Sequence, residues 1–216
     1  MNPSDIYRKI SKYKSLYNIT AIANIPSIVT HGILCYERAR VLAHSSIANK
    51  DVQSLRDDVA IPGGLALHQY ANLYFDYWNP MLSALRNCNE QICILAVDLA
   101  VLDLDDVVVT DSNAASNIAQ FIEPKYIAKI PFDRVFARFW IDPDPIRQRL
   151  YKLIKCAEVL IPDHIDYKYI TGAYAYSQAA GKAIVDSGFN KPVIMHSKAF
   201  FPPHNDGGGL SEYPNR

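Results

Sequence analysis

Cys156-Ala157-Glu158-Val159-Leu160-Ile161 sets one carboxylate inside an otherwise apolar run. The run reads as a short β-strand fed by a basic amphipathic helix, and a strand of this composition is normally buried. A buried carboxylate without partners is costly, so Glu158 is expected to open onto a polar cleft. That makes it the first functional candidate.

Outward from this strand, helices and strands follow one another along the whole chain. Upstream, Ile146 to Lys155 is expected to be a helix with Ile146, Leu150, Leu153 and Ile154 as its apolar stripe. Downstream come a strand at Tyr169 to Tyr176, a helix from Ser177 to Ser187 ended by Gly188, and a last strand, Val193-Ile194-Met195-His196. Nearer the N-terminus a helix is expected around Ile6 to Tyr13. Leu16 to Ala21 alternates with period two, so Tyr17 and Ile19 face one way and Asn18 and Thr20 the other. Asn24 looks like a helix N-cap, with Pro26 in the first turn and Gly32 as the stop. Ile33 to Gly64 is polar and weakly periodic, with Val52, Leu55 and Arg56 at helical spacing. Ala71 to Phe75 reads as a strand, after which Asn79 caps and Pro80 opens a helix. Ile92 to Val97 is apolar on both faces, as a central strand is. Val107 to Thr110 is a strand that stops at Asp111-Ser112-Asn113.

With 216 residues, half of them hydrophobic, the chain can bury a full core as one α/β domain or two small ones. Lys+Arg and Asp+Glu balance at 22 each, which excludes an overall basic field for holding long duplex DNA; any nucleic-acid contact is a local groove. Cys35, Cys88, Cys93 and Cys156 show no C-x-x-C spacing, and the six His residues, among them His31, His44, His68 and His164, no metal-binding pattern, so no metal is expected. The start of the chain has no apolar signal core and no stretch approaches a membrane span, from which a cytosolic protein is expected. Walker, G-x-G-x-x-G and G-x-S-x-G signatures are absent. Residue patterns alone lead to an α/β domain with a polar cleft.

The ordered set Tyr17-Asn18-Ile19-Thr20, Asn24-Ile25, Gly32-Ile33-Leu34, Ser46-Ile47-Ala48, Val52-Gln53, Arg56, Tyr74-Phe75, Asn79-Pro80-Met81-Leu82, Asp111 to Ser116 with Phe121, and Ala157-Glu158-Val159-Leu160 resembles the DarT family. These are bacterial toxins that ADP-ribosylate bases of single-stranded DNA. The match runs from about Leu16 to Met195; each motif is weak and the order is specific.

The resemblance implies an α+β, ADP-ribosyltransferase-like fold, a twisted and mostly antiparallel β-sheet split around an NAD+ cleft. One DarT-like domain would span residues 1–201, with 202–216 a mobile tail. Glu158 would be the catalytic glutamate, bonding a hydroxyl of the nicotinamide ribose and favouring an oxocarbenium-like transition state. Arg56 would act in the active site near the NAD+ phosphates and the attacking base, its planar fork suiting phosphate oxygens. Glu158 and Arg56 are thus expected at opposite ends of one dinucleotide. The plainer alternatives are an edge-strand Glu and a surface Arg paired with Asp57 or Asp58.

Asn18, Thr20, Asn24, Tyr74 and Met81 would complete the NAD+ site. Many family members carry His where this chain has Asn18, and core packing is the competing reading of Met81. Arg134, Arg138, Trp140, Arg147 and Arg149, with Lys152, Lys155 and interleaved Phe residues, would meet single-stranded DNA. A solvated basic helix face is the alternative there. NAD+ would be co-substrate without a metal, the acceptor thymine or guanine, and the partner a macrodomain-type, DarG-like antitoxin. Two further readings stay open: a nucleic-acid-binding module that lost turnover, and a transferase acting on RNA.

Overall fold

The computed structural model describes residues 1–42, 45, 47 and 50–204, with Lys50 to Gln53 described by backbone alone. His44, Ser46, Ala48, the side chains of Val52 and Gln53, and the tail from residue 205 lie outside the described residues.

The strands are β1 (Ser15–Ala21), β2 (Ile33–Leu34), β3 (Tyr70–Tyr74), β4 (Ile92–Asp98), β5 (Val108–Thr110), β6 (Phe121–Ile122), β7 (Glu158–Pro162), β8 (His164–Ile165), β9 (Ile170–Ala175) and β10 (Val193–Met195). The α-helices are α1 (Pro3–Ile10), α2 (Ile25–His31), α3 (Tyr36–Ala39), α4 (Lys50–Asp57), α5 (Pro80–Ala84), α6 (Phe132–Val135), α7 (Pro145–Ile154) and α8 (Gln178–Asp186). Eight strands form one sheet in the order β10-β9-β4-β1-β3-β7-β5-β6, antiparallel throughout except for the parallel edge pair β9 and β10. β2 and β8 form a separate antiparallel pair.

One junction in this sheet differs from the rest. β1 runs against β4 from Ser15–Asp98 to Ala21–Ile92, and β3 runs against β7 from Tyr70–Pro162 to Tyr74–Glu158. Between them, β1 and β3 meet only at Tyr17–Tyr74. The sheet therefore parts there, and the Asn18 amide donates across the gap to the Asn72 carbonyl at 3.2 Å.

Alternation explains which side chains the sheet buries. Leu16, Cys93, Leu95, Val97, Leu73, Val159 and Ile161 enter the large core on one face. Tyr17, Ile19, Ile94, Ala96 and Tyr74 enter a second, aromatic core on the other. Gly32 ends α2 at φ +75°, where a Cβ would lie 2.1 Å from the Ile165 carbonyl oxygen. Only glycine permits the turn that lays β2 against β8.

Several local expectations need correction. α1 begins at Pro3, a favoured first-turn position, and stops at Ser11, whose hydroxyl accepts from the Tyr13 amide and turns the chain out of the helix. Asn24 stands at the N-cap position of α2 but does not cap it; its amide group bonds the Ser45 backbone in both directions and reaches Thr20 Oγ1. The stripe expected to bury α7 is half uncovered, with Ile146 78% and Leu150 39% exposed. Asn79 does cap α5, accepting from the Leu82 amide.

Candidate active site

Glu158 opens β7 opposite Tyr74 and is fully buried. Its carboxylate does not open onto the cleft directly, as the sequence led us to expect. Arg56 covers it: Nη1 lies 3.2 Å from both carboxylate oxygens, and Nη2 3.2 Å from Oε2. The Ala114 amide donates to Oε1 at 2.9 Å, and the Glu158 amide donates to Thr110 Oγ1 at 2.9 Å. The burial that made this carboxylate conspicuous is thus compensated by a guanidinium and a backbone N–H, as a buried charge requires.

Glu158 and Arg56 are in contact, so they do not sit at opposite ends of a dinucleotide. α4 places Arg56 there from 102 positions upstream, a distance in sequence that no local pattern spans. Arg56 is itself buried and lines a cleft of about 650 Å³, within the roughly 300–1,000 Å³ usual for cofactor sites. The cleft occupies the split between β1 and β3. Asn18, Thr20 and Asn24 line it with Asn72, Tyr74, Met81, Cys156, Lys152 and Leu153. Residues from both faces of the sheet share one cavity because the ladder parts.

Electrostatics narrow what these groups can do. Burial, with the Glu158 charge nearby, pushes the Cys156 thiol up to about 12, so it is not a nucleophile at neutral pH. Burial and the same charge hold the Tyr74 phenol well above its usual range; it stays protonated and donates to Met81 Sδ at 3.2 Å. That contact links two of the expected NAD+ residues. Among the described residues no three His, Cys, Asp or Glu side chains gather as a metal site would.

The structure brings Arg56, Asn18, Thr20, Asn24, Tyr74 and Met81 to one cleft, with Glu158 behind Arg56. The expected DNA contacts are mostly engaged elsewhere. Arg147 pairs with Asp142 and Asp144, Arg134 lies over the Tyr151 ring, Arg138 lies over Phe139, and Trp140 packs edge-on against Phe201. Arg149 is exposed on α7.

Lys155 belongs to neither the DNA surface nor a solvated face. It is buried, donating to Asp76 Oδ2 and to the Val135 carbonyl, both at 2.7 Å. Sequence reasoning also missed His68, buried in the cleft wall beneath Tyr36 with ring centroids 4.3 Å apart. Its Nε2 lies 2.8 Å from Asp57 Oδ1 without hydrogen-bond geometry. Position 68 carries no local signal, since it sits just before β3 in an unremarkable Leu67-His68-Gln69 turn.

Comparison with known proteins adds to this geometry. The sequence model of the family described as "DarT: ssDNA thymidine ADP-ribosyltransferase, DarT" matches residues 17–201. A curated DNA ADP-ribosyl transferase-DNA ADP-ribosyl glycohydrolase fusion protein of Thermosipho africanus is 29% identical over 205 residues. That match takes in 90% of this chain and 51% of the fusion, so the chain spans about half its length. Thermosipho africanus DarTG in complex with ADP-ribose superposes with a TM-score of 0.77 at 27% identity, over 89% of this chain and 52% of that one. Thermus sp. 2.9 DarT in complex with ADP-ribosylated ssDNA gives 0.77 at 23% identity, over 88% of this chain and 98% of that one. The same Thermus protein in complex with NAD+ gives 0.73 at 21%, over 88% and 99%. At these identities the Thermus matches speak to the fold alone.

Proposed function

This chain belongs to the DarT family of ssDNA thymidine ADP-ribosyltransferases, and on that premise we propose that it transfers ADP-ribose from NAD+ to a base of single-stranded DNA. The fold is that of the ADP-ribosyltransferases, α+β with a mostly antiparallel sheet. The observation that carries the proposal is the Glu158 carboxylate held directly behind Arg56, which lines the cleft in the split sheet.

In the proposed reaction the bond from nicotinamide nitrogen to ribose C1 breaks. Nicotinamide leaves with the electron pair as a neutral ring, a base nitrogen bonds to C1, and its proton is released. Positive charge develops on the ribose, and a fixed carboxylate beside it stabilises that state electrostatically. Glu158 is suited to this because Ala114 and Thr110 hold it independently of Arg56. A ribose hydroxyl reaches the carboxylate by replacing a guanidinium contact, and the freed N–H groups then face the incoming ligand. Asn18, Thr20, Asn24, Tyr74 and Met81 supply the polar and apolar walls that hold NAD+. The family's description favours thymine as the acceptor. The Thermosipho fusion carries a DNA ADP-ribosyl glycohydrolase in the same polypeptide. By extension, the present chain acts as a toxin whose antitoxin removes the modification.

Incubating the protein with NAD+ and short single-stranded oligonucleotides is expected to add the mass of one ADP-ribose per modified base, and Glu158→Ala to abolish the gain. Oligonucleotides left unmodified by the intact protein would overturn the proposal. A second reading, a binding module without turnover, is favoured by Asn18, whose side-chain amide is committed to the Asn72 carbonyl. Calorimetry separates the two, because that module binds oligonucleotide and releases no nicotinamide.

A further inference from the structure

Alternate residues of β3 line the cleft, with Tyr70, Asn72 and Tyr74 all facing it. The cavity therefore follows the strand for about 13 Å, at roughly 3.3 Å per residue. Glu158 stands opposite Tyr74 at one end, and His68 and Tyr36 form the wall beyond Tyr70 at the other. The backbone at that far end is tied down, with Leu67 fully buried and its amide donating to the Val59 carbonyl at 2.8 Å. The His68 ring is not. Among the described residues neither of its nitrogens has a hydrogen-bond partner, although the residue is only 8% exposed. Buried polar side chains in folded proteins are nearly always bonded, and an unpaired one costs free energy, so packing alone does not account for a histidine here.

We infer that His68 accepts a hydrogen bond from the adenosine half of NAD+, an assignment that rests on the proposed reaction and says how the ligand lies in the cleft. With its reacting ribose at Glu158 and its length along β3, the dinucleotide brings its far half beside His68 and Tyr36. The Asp57 carboxylate decides what the ring can read. Nε2 is already 2.8 Å from Asp57 Oδ1, so a turn of the ring makes that contact an N–H donated to the carboxylate and frees Nδ1 for the ligand. In a neutral imidazole Nδ1 is then an acceptor. Pyrophosphate oxygens are acceptors themselves and do not satisfy it. The adenosine half carries the donors, in its ribose hydroxyls and in the exocyclic amine of adenine. Tyr36 lies over His68 with ring centroids 4.3 Å apart and is 38% exposed, which offers the flat apolar face that a purine packs on. Asp57 directly follows Arg56 on α4, so one helix end steadies a group at each end of the ligand.

The test is calorimetry of NAD+ on the full chain without DNA, beside kinetics with oligonucleotide. His68→Ala is expected to weaken NAD+ binding roughly tenfold, the loss of one hydrogen bond, and to appear in the KM for NAD+ rather than in kcat because the contact is far from the breaking bond. His68→Asn places a carbonyl near the position of Nδ1 and should recover most of the affinity. His68→Phe keeps a ring in the wall without an acceptor and should stay weak. A packing role predicts the reverse order, so the comparison of Asn with Phe decides the matter even where the Ala variant melts early. Two analogues locate the donor: nicotinamide hypoxanthine dinucleotide lacks the exocyclic amine, and NAD+ deoxygenated on the adenosine ribose lacks a hydroxyl. The intact chain should bind one of them roughly tenfold less tightly than NAD+, and His68→Ala should not distinguish that one from NAD+. Equal NAD+ affinity in all three variants, or affinity restored by Phe and not by Asn, would overturn the assignment and leave the proposed reaction standing. An intact chain that binds no NAD+ would overturn both.

Discussion

At the residue scale, the site depends on two groups that each make the other tolerable. The Glu158 carboxylate is buried because Arg56 and the Ala114 amide compensate it, and Arg56 is held in a fork that only a guanidinium forms. Arg56→Lys keeps the charge and loses the fork. We expect nicotinamide release to fall by roughly a hundredfold or more, about 3 kcal/mol, with a smaller change in stability because the shorter cation can turn toward cleft water. Steady-state kinetics beside a denaturation curve checks this; wild-type turnover in that variant would remove Arg56 from the mechanism. The glutamate was legible because a lone acid in an apolar strand breaks the pattern. Its partner was legible only through the family resemblance, since Arg56 beside Asp57 and Asp58 reads equally well as a surface residue.

At the element scale, the segment joining α7 to β7 is fixed by a second buried ion pair. Lys155 reaches Asp76, just past β3, and the Val135 carbonyl at the end of α6, so three segments around the cleft meet at one ammonium. Burial raises the Asp76 carboxyl and lowers the Lys155 ammonium despite their mutual attraction. Both shifts favour the neutral forms, so at neutral pH the charged pair carries a desolvation cost. Lys155→Met leaves Asp76 uncompensated and is expected to cost roughly 3–5 kcal/mol, much of it recovered in the double variant with Asp76→Leu. The sign with pH follows. A carboxyl raised in the fold binds a proton that the unfolded chain has released, so the single variant should gain stability as pH falls from neutral toward the ordinary carboxylate value. Urea melts at two pH values check it, and the opposite slope would refute the assignment. The helix α7 itself was legible from its period, but which of its faces is covered was not: periodicity reports an apolar stripe and says nothing of what packs on it.

At the scale of the whole molecule, the cleft exists because β1 and β3 touch at a single residue pair, so a ligand lying there contacts both halves of the sheet. NAD+ at a hundred times its Kd, without DNA, should stabilise the protein by about 2.7 kcal/mol. For a chain of this length that is a rise in Tm of roughly 5–10 °C; no shift at any concentration would argue against NAD+ binding. Among the described residues no helix is long and apolar enough to cross a membrane. By itself the sequence determined the strands at Leu16, Ile92 and Val193, the cap at Asn79, the stop at Gly32 and the burial of a lone carboxylate, Glu158, in an apolar strand. Alternation, turn chemistry and an anomalous charge are properties of neighbouring residues. Only the tertiary structure decided that the sheet splits between β1 and β3, that Arg56 lies on Glu158, that Lys155 is buried on Asp76 and that the α7 stripe stays bare. Each of these is a meeting of segments distant in the chain, set by which strand pairs with which and how the helices between them are accommodated.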